Sequence, residues 1–68
     1  MTNTSLLKEK IKKSGYKMSF LADMLDIDPS TLSRKLNNKA EFWESEMNIL
    51  SKLLKMSATE KNAIFFAK

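Results

Sequence analysis

In "DPSTLSRKLNNK", residues 28 to 39, hydroxyl, amide and guanidinium side chains surround two leucines, Leu32 and Leu36, placed four apart. On a helix advancing 100° per residue these leucines lie about 40° apart and define one buried side. Arg34 then points the opposite way. Ser30 and Asn37 flank it on one side, Thr31 and Asn38 on the other, and Ser33 and Lys35 lie nearer the edges. Such a face offers little apolar surface to bury, but its donors and acceptors suit the edges of base pairs. Short side chains let a backbone approach the floor of a major groove, a guanidinium can bond guanine O6 and N7 together, and a carboxamide can do the same with adenine. An ordinary solvent-facing polar surface would have the same composition, so the elements that present it matter.

Bond-making chemistry finds fewer materials. The 68 residues include no Cys and no His, which removes thiol nucleophiles, disulfides, imidazole bases and the usual zinc ligand sets. The carboxylates that remain belong to a chain too short to wall off a reaction pocket. An enzyme, a metal site and a bound cofactor are therefore not expected.

Charge is unevenly placed. Lys8, Lys10, Lys12, Lys13 and Lys17 against Glu9 give residues 1 to 17 the whole formal net charge of +4, while residues 18 to 39 and 40 to 68 each balance. A lysine-rich helix of this kind can face an anionic polymer, or simply water. The opening "MTNTSLLKEKIKK" lacks the apolar stretch of a signal peptide, and no run approaches transmembrane length. A cytoplasmic protein without membrane association is the expectation.

The elements follow from local signals. A first helix is expected from about Ser5 to Ser14, capped by Thr4 or Ser5, with Leu7 and Ile11 inward and Gly15 as a left-handed stop. A second spans about 18–25, with Leu21, Ala22 and Leu25 on one face and Asp26 taking the left-handed position after it. Asp28 as N-cap, Pro29 at the first helical position and an Ile27–Leu32 hydrophobic staple begin a third over about 29–37. A fourth is expected over about 44–55, with Met47, Leu50, Leu53 and Leu54 inward. "SATE" at 57–60 is a capping box, opening a fifth helix that carries Ile64 and Phe65 inward. Five short helices and no strand signal give a single all-α bundle. A fold this small, with no disulfide to staple it, also invites stabilisation by a second copy.

Two short helices joined by a few residues, with Ala22 allowing close approach and a well-started second helix, describe a helix-turn-helix. "MSFLADMLDIDPSTLSRKLNNK" resembles that of the Cro/CI-type phage regulators, the lambda-repressor-like DNA-binding domain, through Leu21, Ala22, Leu25, Ile27, Thr31, Leu32, Arg34 and the Asn-Asn-Lys after the third helix. "SGYKMSF", "EFWESEM" and "EKNAIFF" are similar to short single-domain regulators from phages of Gram-positive hosts, so the resemblance spans nearly the whole of residues 1–68. It implies a transcriptional repressor that binds double-stranded operator DNA as a homodimer. Ser30, Thr31 and Arg34 would read bases, while Ser19, Lys35, Asn38 and Lys39 would meet phosphates. The chain departs from the pattern at three places: Met18 stands where Gln often touches DNA, Asp26 where Gly often turns the chain, and Pro29 where a polar base-reading residue often stands.

A different class of function stays in view. Asp23, Asp26 and Asp28 set negative charge beside the third helix, which would favour a basic protein partner over a duplex. On this reading the chain is an antirepressor, or modulator of repression, that masks another phage repressor through its helix-turn-helix or its aromatic carboxy-terminal surface. Trp43, Phe65 and Phe66 are the candidate dimer or partner contacts, since interface cores are enriched in aromatic residues. Adjacent Phe65 and Phe66 point about 100° apart on a helix, so both cannot easily enter one small core.

Overall fold

The computed structural model describes residues 1–67, and among them the backbone forms five helices and no strand. They are α1 (Thr4–Ser14), α2 (Met18–Leu25), α3 (Pro29–Leu36), α4 (Glu44–Leu53) and α5 (Ala58–Phe65). The all-α bundle expected from the sequence is what forms.

The helix ends show how a chain with a single Gly turns so often. At α1 the Gly takes the stop, with φ 77°. After α2, α3 and α4 the same left-handed position is held by Asp26, Asn38 and Lys55, with φ between 53° and 58°. Each closes a Schellman motif: Ile27 N–H donates to Ala22 C=O (3.0 Å), Lys39 to Arg34 (2.8 Å) and Met56 to Ser51 (2.9 Å). Asp and Asn tolerate this backbone, whereas Lys55 does so at a steric cost. Lys55→Gly should therefore raise the free energy of unfolding by about 0.5–1 kcal/mol, the relief of that clash exceeding the added freedom of the unfolded chain. Chemical denaturation would measure it, and a loss of stability would contradict the account.

Two starting signals differ from expectation. Asn3, not Thr4 or Ser5, caps α1, its Oδ1 accepting from Leu6 N–H at 3.2 Å. Asp28 occupies the cap position of α3 in extended backbone, but its side chain makes no capping hydrogen bond. The start of α3 rests instead on Pro29, on Leu32 N–H donating to Asp28 C=O (3.0 Å) and on Ile27 packing against the core that buries Leu32. At α4, Glu46 reaches back to accept from Trp43 N–H (2.8 Å), which is half of a capping box, since an indole has no acceptor to return. The box at α5 is complete: Glu60 N–H donates to Ser57 Oγ and Ser57 N–H to Glu60 Oε1. Helix α4 ends at Leu53, two residues before the expected end, because Lys55 takes the left-handed turn.

The core draws on every helix and one loop: Leu7 and Ile11, Leu21, Ala22 and Leu25, Leu32 and Leu36, Phe42, Leu50 and Leu54, and Ile64 and Phe65. Helix α2 packs on α3 and α4, and α1 on α3 and α5. The amino-terminal segment lies on α5, Asn3 N–H donating to Ile64 C=O at 2.6 Å. Lys10 Nζ reaches Glu60 Oε2 at 2.5 Å across the same seam, and this ammonium, helped by the Ser57 backbone N–H, holds the Glu60 carboxyl below its ordinary value.

Candidate nucleic-acid interface

Helix α3 is gripped on three sides, and the grips decide which of its side chains remain available. Its start meets α2 through the three-residue connection Asp26–Asp28, where Ile27 is half-buried and Ala22 fully buried. Its inner side is set by Leu32 and Leu36, 0% and 4% exposed. Its third contact is ionic: Lys35 Nζ lies 2.5 Å from Glu46 Oε1 on α4, with both side chains buried.

This contact corrects one assignment. Lys35, expected near a phosphate, is only 6% exposed and already has a carboxylate partner. Its ammonium also lies 5.4 Å from the Trp43 ring centroid and 5.9 Å from that of Phe42, within cation–π range. Lys35 is a structural cation that fastens α3 to α4. From its edge position on the helix it turns inward because Glu46 neutralises it there. The opposite charges of Lys35 and of the first turn of α4 were visible in the sequence, but nothing local joined them.

The remaining face of α3 is open. Ser30, Ser33 and Arg34 are exposed, and Thr31 is half-buried. Asn37 is exposed but engaged: its Nδ2 donates to Ser33 C=O at 2.9 Å and its Oδ1 accepts from Lys8 Nζ at 3.1 Å. Lys8, on α1, carries no local signal that sets it apart from its neighbouring lysines, and the structure brings it to the far end of α3. Asn38 and Lys39 are exposed in the turn that ends the helix, Asn38 with φ 58°. Ser19 is exposed in the first turn of α2, where no side chain caps the helix. Uncapped first-turn N–H groups beside a hydroxyl can accept an anion.

The electrostatics are lopsided. Asp23, Asp26 and Asp28 join Ile27 and Thr31 around an open recess at the start of α3. Lys8, Arg34 and Lys39 lie towards its end, and none of the three has a salt bridge among the described residues. An approaching polyanion is favoured at the second end and disfavoured at the first.

The aromatic assignments divide. Phe65 is 2% exposed and meets Phe42 edge-on at 5.6 Å between ring centroids, so it is core and no partner contact. Trp43 and Phe66 are 71% and 57% exposed. In sequence they directly follow the two members of that buried pair, Phe42 and Phe65. Phe20 and Met24 form a further exposed apolar pair on α2, and Tyr16, in the connection before that helix, sets its ring 5.0 Å from that of Phe20. The sequence reading did not single it out, although residues four apart share a helix face.

No known family, curated protein or solved structure matches the chain. Among the described residues no group of three or more carboxylates or other ligating side chains is placed to hold a metal ion, and no helix is long and apolar enough to cross a membrane.

Proposed function

We propose that the chain is a sequence-specific DNA-binding transcriptional repressor of the Cro/CI type, with α2 and α3 as its helix-turn-helix and α3 in the major groove. The observation that carries this reading is the open face of α3: Ser30, Ser33 and Arg34 are exposed on a helix whose other sides are fixed by leucines and by a buried ion pair. A rigid helix with short polar side chains around one Arg meets the needs of base readout. Arg34 is the principal reader, Ser30 and Thr31 assist, and Ser19, Asn38 and Lys39 contact phosphates. The longest dimension of the domain is 27 Å, less than the roughly 34 Å between half-sites one turn apart. One copy thus serves one half-site, and a homodimer is needed to read a palindrome, with Trp43 and Phe66 as its contact surface.

Selection of bound sequences from random duplex DNA at near-physiological salt tests the proposal. Enrichment of a palindrome is expected. Arg34→Ala should lose about 1–3 kcal/mol of sequence discrimination, whereas Lys39→Ala should weaken binding to all sequences and flatten the salt dependence. An unchanged sequence preference in the Arg34 variant would remove direct readout from α3.

The recess of Asp23, Asp26 and Asp28 favours a second reading. Carboxylates beside Thr31 repel phosphate and attract a basic protein surface, as an antirepressor or modulator of repression would require. Failure to enrich any duplex, together with tight binding to the repressor of the same phage, would establish that reading in place of the first.

A further inference from the structure

Residues 1 to 17 carry the chain's formal excess of +4, and the structure shows where that charge is spent. Lys10 is paired with Glu60 and Lys13 with Glu9. Lys8, Lys12 and Lys17 have no carboxylate within ion-pair distance among the described residues. Lys8 and Lys12 stand one turn apart, about 6 Å along the axis, on one face of α1. The first of them bonds Asn37 Oδ1, in the same turn of α3 as Arg34.

We infer that Lys8 and Lys12 form a phosphate-binding pair on α1 that extends the duplex contact beyond α3. The inference rests on the DNA reading above and adds a second element to the interface. A neutral amide oxygen orients the Lys8 ammonium without neutralising it. The ammonium is therefore held at the edge of the α3 face with its charge intact, and two of its three protons remain for phosphate oxygens. Asn37 in turn is locked between Lys8 and the Ser33 carbonyl, which leaves it a spacer between the two helices and no reader of bases. The three carboxylates at the opposite end of α3 add to the asymmetry, drawing the duplex backbone toward α1.

The test measures affinity for random-sequence duplex DNA against salt concentration, for the full chain and for Lys8→Gln, Lys12→Gln, Asn37→Ala and Lys52→Gln. All four positions are exposed. Each phosphate contact contributes about 0.9 to the slope of log affinity against log salt. The slope should fall by about that amount in each of Lys8→Gln and Lys12→Gln, and Lys8→Arg should restore it. Lys52→Gln removes the same charge from α4 and should leave the slope unchanged. Equal loss in Lys52→Gln would reduce the effect to net charge and overturn the pair. Asn37→Ala, which releases the ammonium but keeps its charge, should lower the slope by no more than Lys8→Gln does. An unchanged slope in Lys8→Gln, or a fall in Asn37→Ala larger than in Lys8→Gln, would overturn the pair too. Absence of duplex binding by the unaltered chain would instead remove the DNA reading itself, and the pair with it.

Discussion

Glu46→Ala is expected to destabilise the fold by about 3–5 kcal/mol, because it strands the Lys35 ammonium in a site where both side chains are buried. A domain of this size has roughly 3–10 kcal/mol of stability in all, so the single change would remove much of it. The carboxylate also accepts from Trp43 N–H at 2.8 Å, so its loss unties the first turn of α4 as well. The double replacement Lys35→Met with Glu46→Leu separates charge from packing. It removes two desolvated charges together and should be close to neutral or stabilising. Urea unfolding of the two variants, compared by midpoint and slope, gives the answer. A Glu46→Ala variant within about 0.5 kcal/mol of the parent would show that the pair is solvated in solution and does not fasten α3.

Phe65→Ala should cost about 3–5 kcal/mol, and Phe66→Ala close to nothing in the isolated domain. The two are neighbours of identical chemistry, 2% and 57% exposed. Phe65 fills the space between α5 and Phe42, edge-on at 5.6 Å, a geometry that adds about 0.5–1.5 kcal/mol to its area burial. Phe66 matters only if a second molecule covers it. In sedimentation, Phe66→Ala should therefore lower the dimer population without changing the unfolding midpoint. Equal destabilisation by both replacements would mean that Phe66 is packed as Phe65 is and that the end of α5 is not open.

These expectations show where local sequence signals suffice and where they stop. Helix α2 and the start of α3 were legible because their stop and start residues lie within a few positions of one another: Asp26 in the left-handed region, Ile27, and Pro29 at the first helical position. The leucine pair in α3 fixed its inner side for the same reason, and the open polar face followed by subtraction. Lys35 was misassigned because helical projection puts it at an edge and cannot say which neighbour stands there. Its partner is 11 residues away on another helix. The Phe65–Phe66 pair was legible in its orientation, since the fifth helix was expected to carry Ile64 and Phe65 inward and the angle between the two made burial of both difficult. The edge-on contact of Phe65 with Phe42 was not, because it depends on where the loop delivers Phe42. Lys8 was one of five lysines without distinction until α1 was laid against α3.

The packing of Trp43 over the Lys35 ammonium has an optical consequence. Trp43 is the only tryptophan in the chain. Its indole is 71% exposed, and the ammonium end of the Lys35–Glu46 ion pair lies 5.4 Å from the ring centroid, at the joint between α3 and α4. Emission from this ring responds both to the field of that cation and to water at its open face. Any event that shifts α3 against α4, or that covers this corner with a second molecule, is written directly into the intrinsic fluorescence of the unlabelled protein.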